Sequence, residues 1–451
     1  MSTETFLEIT GGKTLSGGVV SIAGSSNQVT KCIIAALMTD EDVIIKNVPE
    51  VDERHRIEEL FTYLGGTIEQ LESDVIRLNA STVDKTTLDK AHSQRNRISI
   101  LCAGPLLYRF GRVTLHGELG GDRIGKRPVN FHIDALAQMG AKVEFENGVF
   151  HLTLGPEGLQ GAHIKLPYPS VMTTENILIT ASRAKGRTII ENAAIEPEVI
   201  ELTKMLQKMG ADITWDSHRS FIIQGVEKLS GCEHDCMFDR NQAVSFAVAA
   251  LATGGDVLLR NVTHDPVYSF LNFVQRMGGY FKFVKEGLFI KGCRPETLKG
   301  THIEVDVHPG FMTDWQQPFM VLFTQASGIS VLHETVFEER LQYTDYLNHM
   351  GASITVSSKC LGEVPCRYRN SNHIHSAIIQ GPTPLYGRNF RLPTDIRAGM
   401  CLVIAALVAR GKTRLANIHE IQRKYDNLVP KLQAMGADIR IQEGIFTADG
   451  P

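Results

Sequence analysis

One pattern of apolar and polar positions recurs six times along the chain. An amphipathic helical stretch ends on a hydrophobic residue, a glycine follows, then a second glycine or an alanine, then an alternating strand. The copies are Leu64-Gly65-Gly66, Met139-Gly140-Ala141, Met209-Gly210-Ala211, Met277-Gly278-Gly279, Met350-Gly351-Ala352 and Met435-Gly436-Ala437. The glycine stands where a helix C-terminus needs a positive φ. The stretches that follow, such as Lys142-Val143-Glu144-Phe145 and Asp212-Ile213-Thr214-Trp215, have the period of two of half-buried strands. Successive glycines stand 75, 70, 68, 73 and 85 positions apart, a spacing that reads as one folding unit.

A second pattern alternates with the first: an apolar helix, a turn bearing Gly, and a strand leading to Asn. It is clear in Ala184 to Asn192, Ala252 to Asn261 and Ala409 to Asn417. Each unit is therefore expected to hold two helices and several strands. At 451 residues the chain exceeds one ordinary core, so six units are expected as two domains of three, pseudo-threefold, with apolar helices inside and sheets outside. The wide last interval contains Ser358 to Pro384, a stretch bearing Cys, His and Pro that reads as a loop insertion in the sixth unit. No Gly-rich dinucleotide fingerprint and no P-loop appears, which counts against an ordinary open α/β sheet.

Composition narrows the partners. With 46 Lys+Arg against 50 Asp+Glu the formal net charge is −4, which argues against nucleic acid or an acidic membrane as a partner held by overall charge. The longest apolar run near the C-terminus, Met400 to Ala409, is half of what a membrane span needs, and the first residues have neither a basic stretch nor an apolar leader. A cytoplasmic enzyme or binding protein is expected. Of eight cysteines, Cys32, Cys102 and Cys401 lie in apolar helical runs and read as reduced core thiols. Cys232-Glu233-His234-Asp235-Cys236 has no second Cys/His pair at finger-like spacing, so it reads as a surface loop and no metal site is expected.

Chemistry concentrates in a few segments. Gly120 to Pro128 sets three cations and one carboxylate among three glycines, which suits a mobile loop closing on an anion, although a solvated hairpin has the same composition. Arg97, Arg340, Arg397 and Arg423 are further candidates, each of which alone could be a surface charge. Asp314, in the turn-rich His308 to Trp315, could alone be a helix cap.

Taken together, Gly24-Ser25-Ser26-Asn27, Gly120 through Phe131, Thr188 through Ala194, His308 through Gln316, Glu334 through Arg340 and Asp395-Ile396-Arg397-Ala398 resemble the UDP-N-acetylglucosamine enolpyruvyl transferases (1-carboxyvinyltransferases) of bacterial wall synthesis, in the enolpyruvyl transferase family. The resemblance covers nearly the whole chain. It implies an α/β fold of the two-domain, inside-out barrel kind, with residues 24–236 forming one three-unit domain that carries a mobile loop at 118–128. Residues 1–23 and 237–451 would form the other, with the active site in the cleft between them. It also implies transfer of the enolpyruvyl group of phosphoenolpyruvate to the 3-hydroxyl of UDP-N-acetylglucosamine, by addition to C2 and loss of phosphate. No metal or organic cofactor, nucleic acid or membrane is implied.

By match to the family's motifs, Asp314 takes the position of the base, Asp122 that of the usual catalytic Cys, and Arg397 is counted with them as catalytic. Ser26, Asn27, Arg127, Arg340, Arg397 and Arg423 fall on phosphoenolpyruvate positions. Sugar-nucleotide binding maps to Asn27, Arg97, Arg127, Pro128, Val129, Asn130, Phe131, Tyr168, Pro169, Ser170, Val171, Asp314 and Val336. Two departures stand out. An Asp at 122 can deliver the proton a Cys would, given burial or a like charge, and should not be alkylated by fosfomycin. Ser26 replaces the family's Lys and removes a full charge, for which Lys31, Arg123 and Lys126 are the cations at hand. Two alternatives follow: a transferase acting on another nucleotide or sugar acceptor, suggested by Met172 in place of the usual Gly, and a catalytically weak paralogue that binds the sugar nucleotide, suggested by Ser26.

Overall fold

The computed structural model describes residues 3–122, 124–125 and 129–450. The chain divides into two compact units. A terminal unit comprises Met1–Ile22, Asp122–Lys126 and Phe238–Pro451, and an inserted unit comprises Ala23–Gly121 and Arg127–Met237.

The described residues form six four-stranded sheets, three in each unit, all with one wiring. In the inserted unit, for example, the short edge strand His163–Lys165 runs parallel to Arg187–Glu191. That strand pairs antiparallel with Phe221–Gln224, which pairs antiparallel with Asp212–Trp215. Segments distant in sequence complete some sheets. Thr3–Thr10 lies between Lys412–Ala416 and Asp438–Ile445, and Gly18–Ser21 runs parallel to Val257–Arg260.

The recurring glycines do what their spacing predicts. Gly65, Gly140, Gly210, Gly278, Gly351 and Gly436 all take positive φ, between 90° and 112°, immediately after a helix. The second pattern's asparagines, Asn192, Asn261 and Asn417, also take left-handed φ as they leave their strands, and Asn47 joins them.

Both units place helices inside and sheets outside. In the terminal unit the helices Arg240–Thr253, Gln316–Gln325 and Ile396–Val408 are buried along all but their last residue and pack against one another. Helices buried on every side keep no solvent-facing stripe. In the inserted unit Ser26–Ala35, Val171–Ala181 and Ala103–Phe110, which continues the 3₁₀ turn Arg97–Cys102, share one apolar core. Among the described residues no helix is long and apolar enough to cross a membrane.

Two expectations need correction. Cys232–Asp235 is not a surface loop but the parallel edge strand beside Val43–Lys46, because residues at the end of the inserted unit are needed to complete a sheet begun near its start. The Ser358 to Pro384 stretch does not belong to the sixth copy. It joins Ser353–Ser357 to Ser376–Gly381, the hairpin of the fifth, so its loop part is 358–375 and the rest includes a strand.

Candidate active site

In the terminal unit the side chains of interest sit at the starts of the buried helices. Asp239 caps Arg240–Thr253, accepting from the amides of Asn241 (2.9 Å) and Gln242 (3.0 Å). Asp395 caps Ile396–Val408, accepting from the Arg397 amide at 2.9 Å. The 3₁₀ turn Thr313–Trp315 runs straight into Gln316–Gln325 and carries Asp314, which caps nothing.

These starts converge on Asp314. Arg340 Nη2 lies 2.7 Å from its Oδ1, Arg397 Nε 3.3 Å from its Oδ2, and Asn241 Nδ2 donates to Oδ2 at 3.4 Å. Arg340 also donates from Nη1 to Thr313 Oγ1 at 2.8 Å, with Nε 3.7 Å from Asp395 Oδ2. Arg397 donates from Nη1 to Tyr425 Oη at 3.0 Å. Both arginines are 3% exposed, so neither is the surface charge that a lone Arg usually is. Burial pushes the Asp314 carboxyl up, but the charges of Arg340 and Arg397 outweigh it and hold the group well below the usual carboxylate range. Nearby Glu334 has the opposite balance. Burial raises its pKa even though Arg340 opposes this and its oxygens accept from Thr313 Oγ1, Gln316 Nε2 and the Val336 and Phe337 amides.

Arg423 follows the short helix His419–Gln422. Its Nη1 lies 3.1 Å from Asp122 Oδ1, 3.1 Å from Glu420 Oε2 and 3.4 Å from the carbonyl of Thr394, the neighbour of Asp395. The terminal unit thus presents a carboxylate between two buried guanidiniums, and a second carboxylate on a third guanidinium.

In the inserted unit Ser26 opens the helix Ser26–Ala35, and its buried Oγ has no hydrogen-bond partner among the described residues. Asn27 follows it, and Lys31, one turn on from Asn27, is 5% exposed. Arg97 opens the 3₁₀ turn capped by Asn96. Burial, with the charge of Arg97 beside it, lowers the pKa of His132 to about 3. His132 lies on the helix Asn130–Gln138, directly after Asn130 and Phe131, with Val129 at the cap position. That helix packs against Val171–Ala181, where Asn176 Nδ2 is 3.2 Å from His132 Nδ1. Ser170 precedes this second helix, with its Oγ 2.8 Å from Thr173 Oγ1 and its amide donating to the Tyr168 carbonyl across Pro169. Arg97, Val129 to Phe131 and Tyr168 to Val171 therefore lie on packed neighbouring elements. Arg127 and Pro128 lie outside the described residues, as do Arg123 and Lys126.

The profile of the family described as EPSP synthase (3-phosphoshikimate 1-carboxyvinyltransferase) matches residues 9–448. The chain belongs to the EPSP synthase family. Among relatives, it is 40% identical over 426 residues to the UDP-N-acetylglucosamine 1-carboxyvinyltransferase of Chlamydia pneumoniae, covering 94% of this chain and 92% of that protein. It is 41% identical over 442 residues to the protein of that name from Protochlamydia amoebophila, covering 97% and 94%. Its fold is shared with the enolpyruvyl transferase NikO from Streptomyces tendae, at a TM-score of 0.83 and 22% identity, over 98% of this chain and 100% of that one. The EPSP synthase of Acinetobacter baumannii gives 0.72 and 20%, over 97% and 100%.

In this member of the EPSP synthase family, the sequence reading missed Asn241, Thr313, Glu334 and Tyr425 around Asp314. One signal could have found Asn241. Asp239-Arg240-Asn241 stands where Asp395-Ile396-Arg397 stands in another copy of the repeat, and both aspartates cap a buried helix through the amide two residues on. The metal ligands considered at Cys232 to Cys236 also regroup. His234 and Cys236 meet Cys32, with ligand atoms within 4.8 Å, and Cys232 is not among them. Gln28 Nε2 donates to His234 Nε2 at 2.7 Å, which satisfies that ring nitrogen within the core.

Proposed function

We propose that the protein transfers the enolpyruvyl group of phosphoenolpyruvate to the 3-hydroxyl of UDP-N-acetylglucosamine and releases phosphate, in the cytoplasm, as the first committed step of peptidoglycan synthesis. The observation that carries the reading is the Asp314 carboxyl held between the buried guanidiniums of Arg340 and Arg397, in a chain 40% identical to a UDP-N-acetylglucosamine 1-carboxyvinyltransferase.

Asp314 accepts the proton of the 3-hydroxyl as its oxygen bonds to C2 of phosphoenolpyruvate, while Asp122 gives a proton to the methylene carbon. Loss of that carbon's proton and of phosphate from C2 then restores the double bond. With its guanidiniums unliganded, Asp314 is a weak base. Anionic groups of phosphoenolpyruvate on Arg340 and Arg397 offset those charges and make the carboxylate a stronger one. Phosphate on Arg423 likewise competes with Asp122 for its guanidinium and favours the protonated acid. Arg127 and Asn27 complete the phosphoenolpyruvate contacts, and the orphaned Ser26 hydroxyl supplies one donor where the family has a Lys. Arg97, Arg127, Pro128, Val129 to Phe131 and Tyr168 to Val171 hold the sugar nucleotide, with Asn27 and Val336 at the sugar.

The test is phosphate release from phosphoenolpyruvate by the purified chain, with and without UDP-N-acetylglucosamine, beside Ser26→Lys. Release that depends on the sugar nucleotide is expected. If Ser26 limits turnover, the variant gains roughly ten- to hundredfold, the worth of one charge-assisted contact of about 1.5–3 kcal/mol. Silence in both proteins overturns the assignment.

A further inference from the structure

The loop 358–375 is long for its place. It has 18 residues, where the matching hairpins Ala141–Glu146 to Val149–Leu154 and Tyr280–Val284 to Gly287–Lys291 turn in two. A connection of this length without secondary structure of its own needs something to hold it. Two cysteines and a histidine come from this loop, as Cys360, Cys366 and His375, and His333 comes from the end of the neighbouring strand Gly328–His333. The register sets His333 opposite Ser376, directly after His375, and the His375 amide donates to the carbonyl of Ser357, three residues before Cys360. One end of a single sheet thus gathers all four.

We propose that His333, Cys360, Cys366 and His375 form a structural Cys₂His₂ zinc site. Their ligand atoms lie within 4.8 Å of one another. A tetrahedral ion with Zn–S near 2.3 Å and Zn–N near 2.0 Å sets its donors about 3.3–3.8 Å apart, so little closure is needed. Cys360 Sγ is 3.3 Å from His375 Nε2. His375 Nδ1 donates to the His373 carbonyl at 2.7 Å, which fixes the tautomer that leaves Nε2 free to bind. His333 is fully buried, and its Nε2 has no hydrogen-bond partner among the described residues. A buried ring nitrogen left in this way calls for a partner. The His333 Nδ1 stands 3.6 Å from Glu304 Oε2, so a carboxylate lies behind the ring, as it commonly does behind metal-bound histidines. Cys366 Sγ accepts from the Tyr368 amide at 3.3 Å, which holds the sulfur in place. Two sulfurs and two imidazoles in tetrahedral reach select zinc over calcium or magnesium.

The ion has a place in the site's architecture. Arg367 and Tyr368, inside the clamped loop, both donate to the carbonyl of Val336, the Tyr368 hydroxyl at 2.7 Å. The clamp therefore anchors the loop against the segment from Glu334 to Val336, whose carboxylate orders Thr313 and Gln316 around Asp314. The competing three-ligand group, Cys32, His234 and Cys236, lacks a fourth ligand among the described residues, and Gln28 already occupies Nε2 of its histidine.

The test is the metal content of the full-length chain, purified without chelator and with any affinity tag removed. About one zinc per chain is expected, lost in Cys360→Ser/Cys366→Ser and retained in Cys236→Ala. Cobalt replacing the zinc should give intense tetrahedral bands and a thiolate charge-transfer band. Wild-type protein with no more zinc than the double variant, or zinc lost in Cys236→Ala and kept in the double variant, overturns the proposal. Should the double variant fail to fold, the cobalt spectrum of the wild type decides, since weak octahedral bands refute the site. None of these readouts depends on transferase activity, so this proposal and the assigned reaction fail separately.

Discussion

Replacing Arg340 by Met removes the guanidinium that reaches Asp314 at 2.7 Å and Thr313 at 2.8 Å, and leaves Asp314 with Arg397 at 3.3 Å. Breaking one partner out of a fully buried pair costs about 3–5 kcal/mol, because the remaining charge is left desolvated. The Arg340 side chain is 2% exposed but that of Asp314 is 22%, so solvent screens part of the loss and about 2–4 kcal/mol is expected here. The chain has two tryptophans, Trp315 in the terminal unit and Trp215 in the inserted one. In a Trp215→Phe background, fluorescence during urea unfolding reports the terminal unit through Trp315, which is buried and donates to Asn241 at 2.9 Å. A double-mutant cycle with Asp314→Asn should recover about 2 kcal/mol of coupling. The pH dependence has a definite sign. The folded Asp314 carboxyl titrates below its unfolded value, so its contribution is present above about pH 4 and is lost as pH falls through the folded pKa. The gap between wild type and Arg340→Met should therefore be widest near neutrality and narrow in acid. A loss under about 1 kcal/mol, or additivity in the cycle, would refute a coupled Asp314–Arg340 pair.

Asp314→Asn should keep the wild-type circular dichroism while lowering sugar-dependent phosphate release by about 10²–10⁴, the range for a lost general base, and a drop under tenfold would remove Asp314 from that role. Fosfomycin should leave no adduct on the fragment from Gly120 to Arg127, whereas Asp122→Cys should gain one, as read by peptide mass. Because Gly210 holds φ at +102° with open space where a Cβ would stand, Gly210→Ala tests backbone conformation alone and should cost about 1–2 kcal/mol in urea unfolding. His132 stays neutral in the fold down to about pH 3 while the unfolded chain takes a proton below about pH 6.5, so stability falls with pH across that window by up to about 1.4 kcal/mol per unit. His132→Asn should flatten that slope between pH 6 and 5, and an unchanged slope would place the titration elsewhere.

The repeat was legible because its marks are local. A helix that must turn into a strand through a positive φ needs Gly at one position, and a half-buried strand needs alternation, so Gly65, Gly140, Gly210, Gly278, Gly351 and Gly436 announce the six units without any knowledge of their packing. Arg340, Arg397, Arg423 and Asp314 were singled out through motif resemblance, and each sits at a helix end or turn of recognisable sequence. Other features depend on which strand lies beside which. Cys232–Asp235 reads as a loop until Val43–Lys46, some 190 residues earlier, supplies its partner. Asn241, Tyr425 and Glu334 acquire roles when separate helices and turns bring them around one carboxylate. The four zinc ligands share no recognisable spacing, with five residues between the cysteines, eight more to His375, and His333 on another strand. By itself the sequence determined the elements and their repetition, which follow from interactions a few residues apart. The tertiary structure decided which buried charges are paired and which donors converge, because desolvation and ligand geometry depend on neighbours contributed by distant parts of the chain.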